Sequence, residues 1–453
     1  MSDILAVSSY IELLDATRGA EPGDTIQLSN DIELAGRLTF ANSCKVDLSN
    51  YVITVPDGFG FNVIKGTSLK IENGDIISNS DKVITLVGTE ARPCELVIGK
   101  DATVSGSSDV INIQKQSKCI IDGGKIIGTG TVVNCGGKNS TIDVRSGKII
   151  CTGNANAVVV SDGGRFVLDR DGHVDMTKES WDGPLEFEAV YISGSRANGF
   201  ITGDCHITSE DATALTIRDG AEFSIEDGLI ESDSQYAAIT VSGDNSKLHI
   251  IGGKIANTSG DLIIMSSTTQ YNKNYLDIVG GELQCPSNII VISEDNIGEN
   301  TVSISGGRYY GTLDTKYLPE GKIIVDGEIV DDSEYEPPHD DPDPIDPPPI
   351  DPDPEYIDPD DGEDPLDPSV DVEIYSVVFR KPVTIYMLPG DTLRVQPHLG
   401  AVDVFSSGEI TYKGVEFVKV RVRVRGCGGY SYGYIEKRRV MDTAEEGINW
   451  DRI

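Results

Sequence analysis

Short alternations of apolar and polar residues recur along residues 20–330, each broken by a two-residue turn that ends in glycine. The clearest copies are LKIENGDII (69–77), CIIDGGKII (119–127), IDVRSGKII (142–150), FSIEDGLIE (223–231), LHIIGGKIA (248–256), LDIVGGELQ (276–284) and VSISGGRYY (302–310). A period of two places successive side chains on opposite faces of a strand. With the degenerate copies included, the Gly-or-Asn slot falls at Asn30, Asn50, Gly74, Gly99, Gly124, Gly147, Gly172, Gly203, Gly228, Gly253, Gly281 and Gly307, at gaps of 20 to 31 residues. Both residue types tolerate the left-handed backbone of a sharp bend, so the slot reads as a structural corner. A further apolar run follows most corners, as in VITLV (83–87), VINI (110–113), AVVV (157–160), ALTI (214–217) and IIVI (289–292).

Two or three short strands per roughly 25 residues predict a coil in which each strand bonds to its counterpart one turn later. The expected fold is all-β: a right-handed parallel β-helix of about twelve coils over residues 25–332, roughly 55 to 60 Å long. Inward Ile, Val and Leu then stack in columns. Leucine-rich repeats and propellers fit less well, because the Leu/Asn frame and the longer blade period are absent.

An open end of such a stack is an edge that invites aggregation. Residues 1–24 are expected to form a helical cap, with Ser9 and Glu12 spaced as a capping box and Tyr10, Leu13 and Leu14 on one apolar face. EGKIIVDGEIV (320–330) is expected to close the other end.

Composition changes abruptly after the coils. Between Asp331 and Pro368 lie 17 acids, 12 prolines and no Lys or Arg, so residues 333–369 read as an acidic Pro-rich linker with an extended backbone. A docking peptide or a cation-binding run is the functional alternative for this stretch. Residues 370–453 read as a small β-domain. Its alternation KVRVRVR places Lys419, Arg421, Arg423 and Arg425 on one face, either a solvated strand face or a contact for an acidic partner.

The formal net charge of -37 disfavours nucleic acid, anionic membranes and acidic polysaccharides as partners. No signal peptide and no long apolar segment is read, so synthesis in a host cytoplasm without membrane insertion is expected. The eight cysteines are scattered without CxxC spacing, which suggests neither zinc nor a disulfide framework. Cys94 and Cys119, one repeat apart, are expected to stack in adjacent coils.

Candidate chemistry is sparse. Asp162, Asp169, Asp171 and Asp175 crowd two coils, and His173, His206 and His249 lie beside repeat strands. Their abundance explains the first group and surface or turn positions the second; no catalytic residue, cofactor or metal is assigned. Phosphate-loop, nucleophile-elbow and zincin patterns are absent, as is the DxDxDG spacing of calcium loops. The wide gap after Gly172 admits a lateral loop, TKESWDGPLEFE (177–188), whose Trp181 is a candidate glycan or subunit contact.

Three resemblances add expectations. Parallel β-helices include pectate lyases, polygalacturonases and phage tailspikes, but the polygalacturonase series of NTD, then DD, then GHG and the WIDH signature of pectate lyases are missing. TLRVQP (392–397), VDVFSSGEITYKG (402–414), FVKVRV (417–422) and GYSYGYIEKR (429–438) resemble a bacterial SH3-like barrel without its usual tryptophan. That resemblance implies peptide binding or packing on a partner protein. ISGGRYYGTLDTKYLPEGKIIVDGEIV (304–330) resembles a segment of head-fibre and surface β-helix proteins of gut bacteria and their phages. It implies a non-enzymatic structural protein of a phage virion, a head fibre or decoration spike. Such a protein would form a homotrimer with capsid or tail proteins as neighbours, and its rod would project towards host glycans. The alternatives are a carbohydrate-binding or depolymerising tailspike, with Trp181 and the aspartates at 162–175 along a groove, and a bacterial surface adhesin.

Overall fold

A computed structural model describes residues 2–332, apart from 80, 179–186, 268–272 and 294–298, and then the backbone of four strands between 374 and 436. The chain divides into two compact units, Met1–Asp341 and Pro342–Ile453.

The first unit is a parallel β-helix of about twelve turns. Each coil but the last contributes a strand to three stacks, as Cys94–Ile98, Ala102–Gly106 and Ile111–Ile113 do. Stacks one and two belong to one 25-stranded sheet, and stack three is an 11-stranded sheet running from Leu38–Phe40 to Ile290–Ile292. Ser117–Gly128 and Thr141–Cys151 pass through both of the first two stacks without a break, and their pairing shifts register at the corner.

One inward column shows what holds the coils together. Val46, Ile71, Ile98, Ile121, Val144, Leu168, Ile201, Ile225, Ile250 and Ile278 meet in register at successive levels, and all are buried. Branched side chains fill this pleated, fully covered space, each contributing about 1.5–3 kcal/mol by burial. Phe166 and Phe223 sit two coils apart with Gly199 between them in register, and their rings stack at 6.2 Å. A Cβ on Gly199 would lie 2.8 Å from Phe223 Cε2, so the missing side chain makes room for the rings.

Both ends are covered. Strand Ile4–Val7 pairs in parallel with Thr25–Leu28, and between them helix Tyr10–Gly19 buries Leu13 and Thr17. Ser9 Oγ accepts from the Glu12 N–H at 3.4 Å, as a capping box requires. The Glu12 carboxylate, however, accepts from the N–H of Ser8 at 2.7 Å, one residue before the cap. Asp24 fastens the cap by accepting from the N–H groups of Asp3 and Glu21, both at 2.9 Å, and these bonds hold its carboxyl below the usual range. At the far end Lys322–Val325 and Glu328–Asp331 form an antiparallel hairpin over buried Tyr309, and Arg308 pairs with Glu328.

The corner ladder needs correction at three levels. Register places Asn30, Gly74, Gly124, Gly147, Gly172, Gly228, Gly253, Gly281 and Gly307 in one column, but its members at the intervening levels are Tyr51, Ala102 and Cys205. Asn50, Gly99 and Gly203 lie one to three residues earlier, so a glycine or asparagine beside a strand is not a sufficient marker of the slot. The backbone reason also differs along the column. Gly253 has φ +76°, whereas Gly124 takes no positive φ and is needed because a Cβ there would meet Ile98 Cγ2 at 2.5 Å. Cys119 pairs in register with Leu96, two residues beyond Cys94, so those two cysteines are not stacked partners.

In the second unit, strands Ile374–Tyr386, Val395–Tyr412, Val415–Arg423 and Tyr430–Glu436 form a closed antiparallel barrel. The first of these strands shifts register between Phe379 and Val383, where Pro382 cannot donate a ladder bond.

Candidate interaction surfaces

The three faces of the helix carry different chemistry. On stack one, outward positions at successive levels read Glu95, Lys118, Thr141, Arg165, Asn198, Glu222 and Lys247. Buried Asp143 is the centre of this face, since its Oδ2 lies 2.7 Å from Lys118 Nζ and 3.0 Å from Arg145 Nη2. Neighbouring Asp169 is raised above the ordinary carboxyl range by burial and by the Asp143 charge. Arg165 lies over the Phe200 ring at 5.3 Å.

Stack two presents Lys125, Lys148, His173, His206, Leu229 and Lys254 in one outward column. The His173 and His206 rings meet edge to face at 4.6 Å. Burial, then Lys148 and His206, push His173 below the usual imidazole range. In the next column Thr208 donates to Asp175 at 2.8 Å. Asp175 and Glu231 are two coils apart in register, about 9.6 Å along the stack. They line a groove of about 460 Å³ with Glu210, Asp233, Met176 and Ile150. Thr177 and Ser209 also line it, and both hydroxyl oxygens are buried without a hydrogen-bond partner. A shallower groove of about 370 Å³ runs past His206, Lys254 and Glu282.

Stack three is different. Its central outward column reads Thr39, Asn62, Thr85, Asn112, Asn134, Val159, Tyr191, Thr216, Thr240, Ile264 and Val291. The adjoining column carries Ile64, Val87, Gly136, Ser161, Ser193, Arg218 and Ser242. Among the described residues Arg218 is the charged residue at an outward position of these strands, and its Nε lies 3.3 Å from Asp219 Oδ2. Asp261 begins its strand with inward parity and accepts from Ser287 and Asn288. Three carboxylates accept bonds from this face at its flank, Asp109 from Asn134 at 3.3 Å, Glu188 from Thr216 at 3.2 Å and Asp219 from Ser193 at 3.2 Å.

The residues singled out in the sequence are scattered by this geometry. Asp162 occupies the corner after stack three with φ +51°, Asp169 and Asp171 lie between stacks one and two, and Asp175 faces out from stack two. They share a stretch of chain but do not converge on one point. His249 stands apart from the other histidines, between Glu222 at 3.9 Å and Asp277 at 3.7 Å. Trp181 lies outside the described residues. The groove residues Glu210, Glu231 and Asp233 escaped notice in the sequence. Their signal was the one-coil spacing that puts Glu231 level with Thr208 and Asp175.

In the barrel, Lys419, Arg421 and Arg423 share one face of Val415–Arg423, and register sets Tyr434, Tyr432 and Tyr430 opposite them. Asp403 is opposite Arg421 on the other side. Arg425 lies outside the described residues.

The seven described cysteines are free and buried. Burial pushes Cys44, Cys135 and Cys285 up to about 11 and Cys205 up to about 12. No group of three His, Cys, Asp or Glu side chains suited to a metal ion occurs among the described residues, and no helix there is long and apolar enough to cross a membrane.

No family model, no curated protein and no solved structure matches the chain.

Proposed function

We propose that this chain is a structural component of a phage particle, a head fibre or decoration spike, assembled as a homotrimer and projecting from the virion. What carries the reading is the pairing of a capped parallel β-helix with a final coil and hairpin, 304–330, whose sequence resembles head-fibre proteins. Repetition of one coil builds stiffness and reach without a catalytic centre, which is what a fibre needs. The closed four-stranded barrel supports an SH3-like module that packs on a capsid or tail protein, with the Lys419, Arg421 and Arg423 face meeting an acidic surface. Labelling each terminus on purified particles and imaging them by electron microscopy tests this. A label projecting from the capsid or tail supports the reading, and a chain absent from particles ends it.

The groove on stack two favours a second reading, a spike that binds host glycan. Its carboxylates and hydroxyls suit the hydroxyl groups of a neutral sugar chain. Glycan arrays and incubation with host capsule separate the two readings. Binding that Glu231→Gln abolishes would favour the spike, and neither binding nor cleavage would remove it.

A further inference from the structure

We propose that the uncharged face of stack three is where copies of this chain associate, side by side and parallel, around an axis running along the rod. The reason is symmetry. In a parallel rotational assembly every coil meets the same coil of its neighbours at the same level, so a residue near the axis faces its own copy. A charge there would face a like charge, which costs several kcal/mol when desolvated. On a chain of net charge -37, a central column without a charged residue from Thr39 to Val291 is the arrangement this symmetry requires. Stacks one and two cannot serve, because Glu95, Lys118 and Arg165 on one and Lys125, Lys148 and Lys254 on the other would each oppose themselves.

The local exceptions are already compensated. Arg218 is paired with Asp219, and Asp109 and Glu188 are bonded to Asn134 and Thr216 from the flank. Size also fits. Eleven strands at about 4.8 Å, each about 12 Å wide, give a flat strip about 48 Å long. With its flanking corners the strip approaches the ~800 Å² per partner of a stable interface. Threonine, asparagine and serine on a flat sheet supply hydrogen bonds between copies, while Val159, Tyr191, Ile264 and Val291 supply apolar contact.

The inference rests on the fibre reading only for the expectation that copies associate. Full-length protein is examined by size-exclusion chromatography with light scattering, as wild type, Asn112→Glu, Thr240→Glu and, on stack two, Lys125→Glu. A wild-type trimer that either stack-three charge weakens by about 100-fold or more, with Lys125→Glu unchanged, is the expected result. Circular dichroism of each variant confirms that the coils remain folded. Asn112→Cys gives a second readout, since mild oxidation should yield a disulfide-linked dimer band absent from wild type and from Lys125→Cys. A wild-type trimer indifferent to the stack-three charges overturns the face and leaves the fibre reading standing. A wild-type monomer at micromolar concentration overturns the face and counts against the trimer itself.

Discussion

The two ends of the β-helix face the same problem and meet it with different chemistry. At the start the chain lays a helix over the first coil and fixes it with Leu13, the Ser9 cap and the Asp24 clamp. At the finish it reverses direction into an antiparallel hairpin over Tyr309, with an exposed Arg308–Glu328 pair at the rim. Apolar burial dominates the first cover, whereas backbone pairing dominates the second. A parallel stack can therefore be closed by any element that satisfies the last strand without offering a new edge.

That contrast makes unequal predictions, each measurable by urea unfolding followed by circular dichroism. Leu13→Ala should cost about 2–5 kcal/mol, because a buried leucine leaves a cavity under the helix. Tyr309→Phe should cost about 1–3 kcal/mol, since the hydroxyl donates to the Gly306 carbonyl in a buried setting. Ser9→Ala should cost about 1 kcal/mol through loss of the helix cap. Arg308→Ala should change nothing measurable, because its ion pair with Glu328 is exposed. If Arg308→Ala destabilised more than Leu13→Ala, an exposed ion pair would outweigh burial and the contrast between the two ends would fail.

The middle coils supply a pH reference that neither end should share. His173 is held below the imidazole range, so the folded state favours its neutral form. Its contribution is fully present above the unfolded value of about 6.5 and declines as pH falls below it. Melting temperatures between pH 5 and 8 should show wild type losing more stability on acidification than His173→Gln, and equal losses would remove this coupling.

Much of the fold was legible because the coil repeats its solution. Period-two alternation, a bend residue and an apolar pair return at nearly constant spacing, and register turns them into columns such as Ile225, Ile250 and Ile278. The corner column was less legible at Tyr51, Ala102 and Cys205, where a residue with a side chain holds the place of glycine without a positive φ. Strand Ile4–Val7 escaped notice because four residues carry too little pattern to separate them from a helix leader. Surfaces were hardest to read. Aspartates close in sequence part company across corners, while Asp175, Thr208 and Glu231, more than twenty residues apart, become neighbours. The neutral column is invisible in a linear reading, since consecutive members are separated by whole coils of charged residues.

The seven enclosed thiols have a bearing on where this molecule can travel. None of them is in a disulfide, and burial pushes Cys44, Cys119, Cys135, Cys151, Cys205 and Cys285 above the ordinary thiol range, so these six offer oxidants little thiolate to attack. A protein made in a reducing compartment and released into an oxidising one would thus keep the same covalent form in these coils on both sides of the journey.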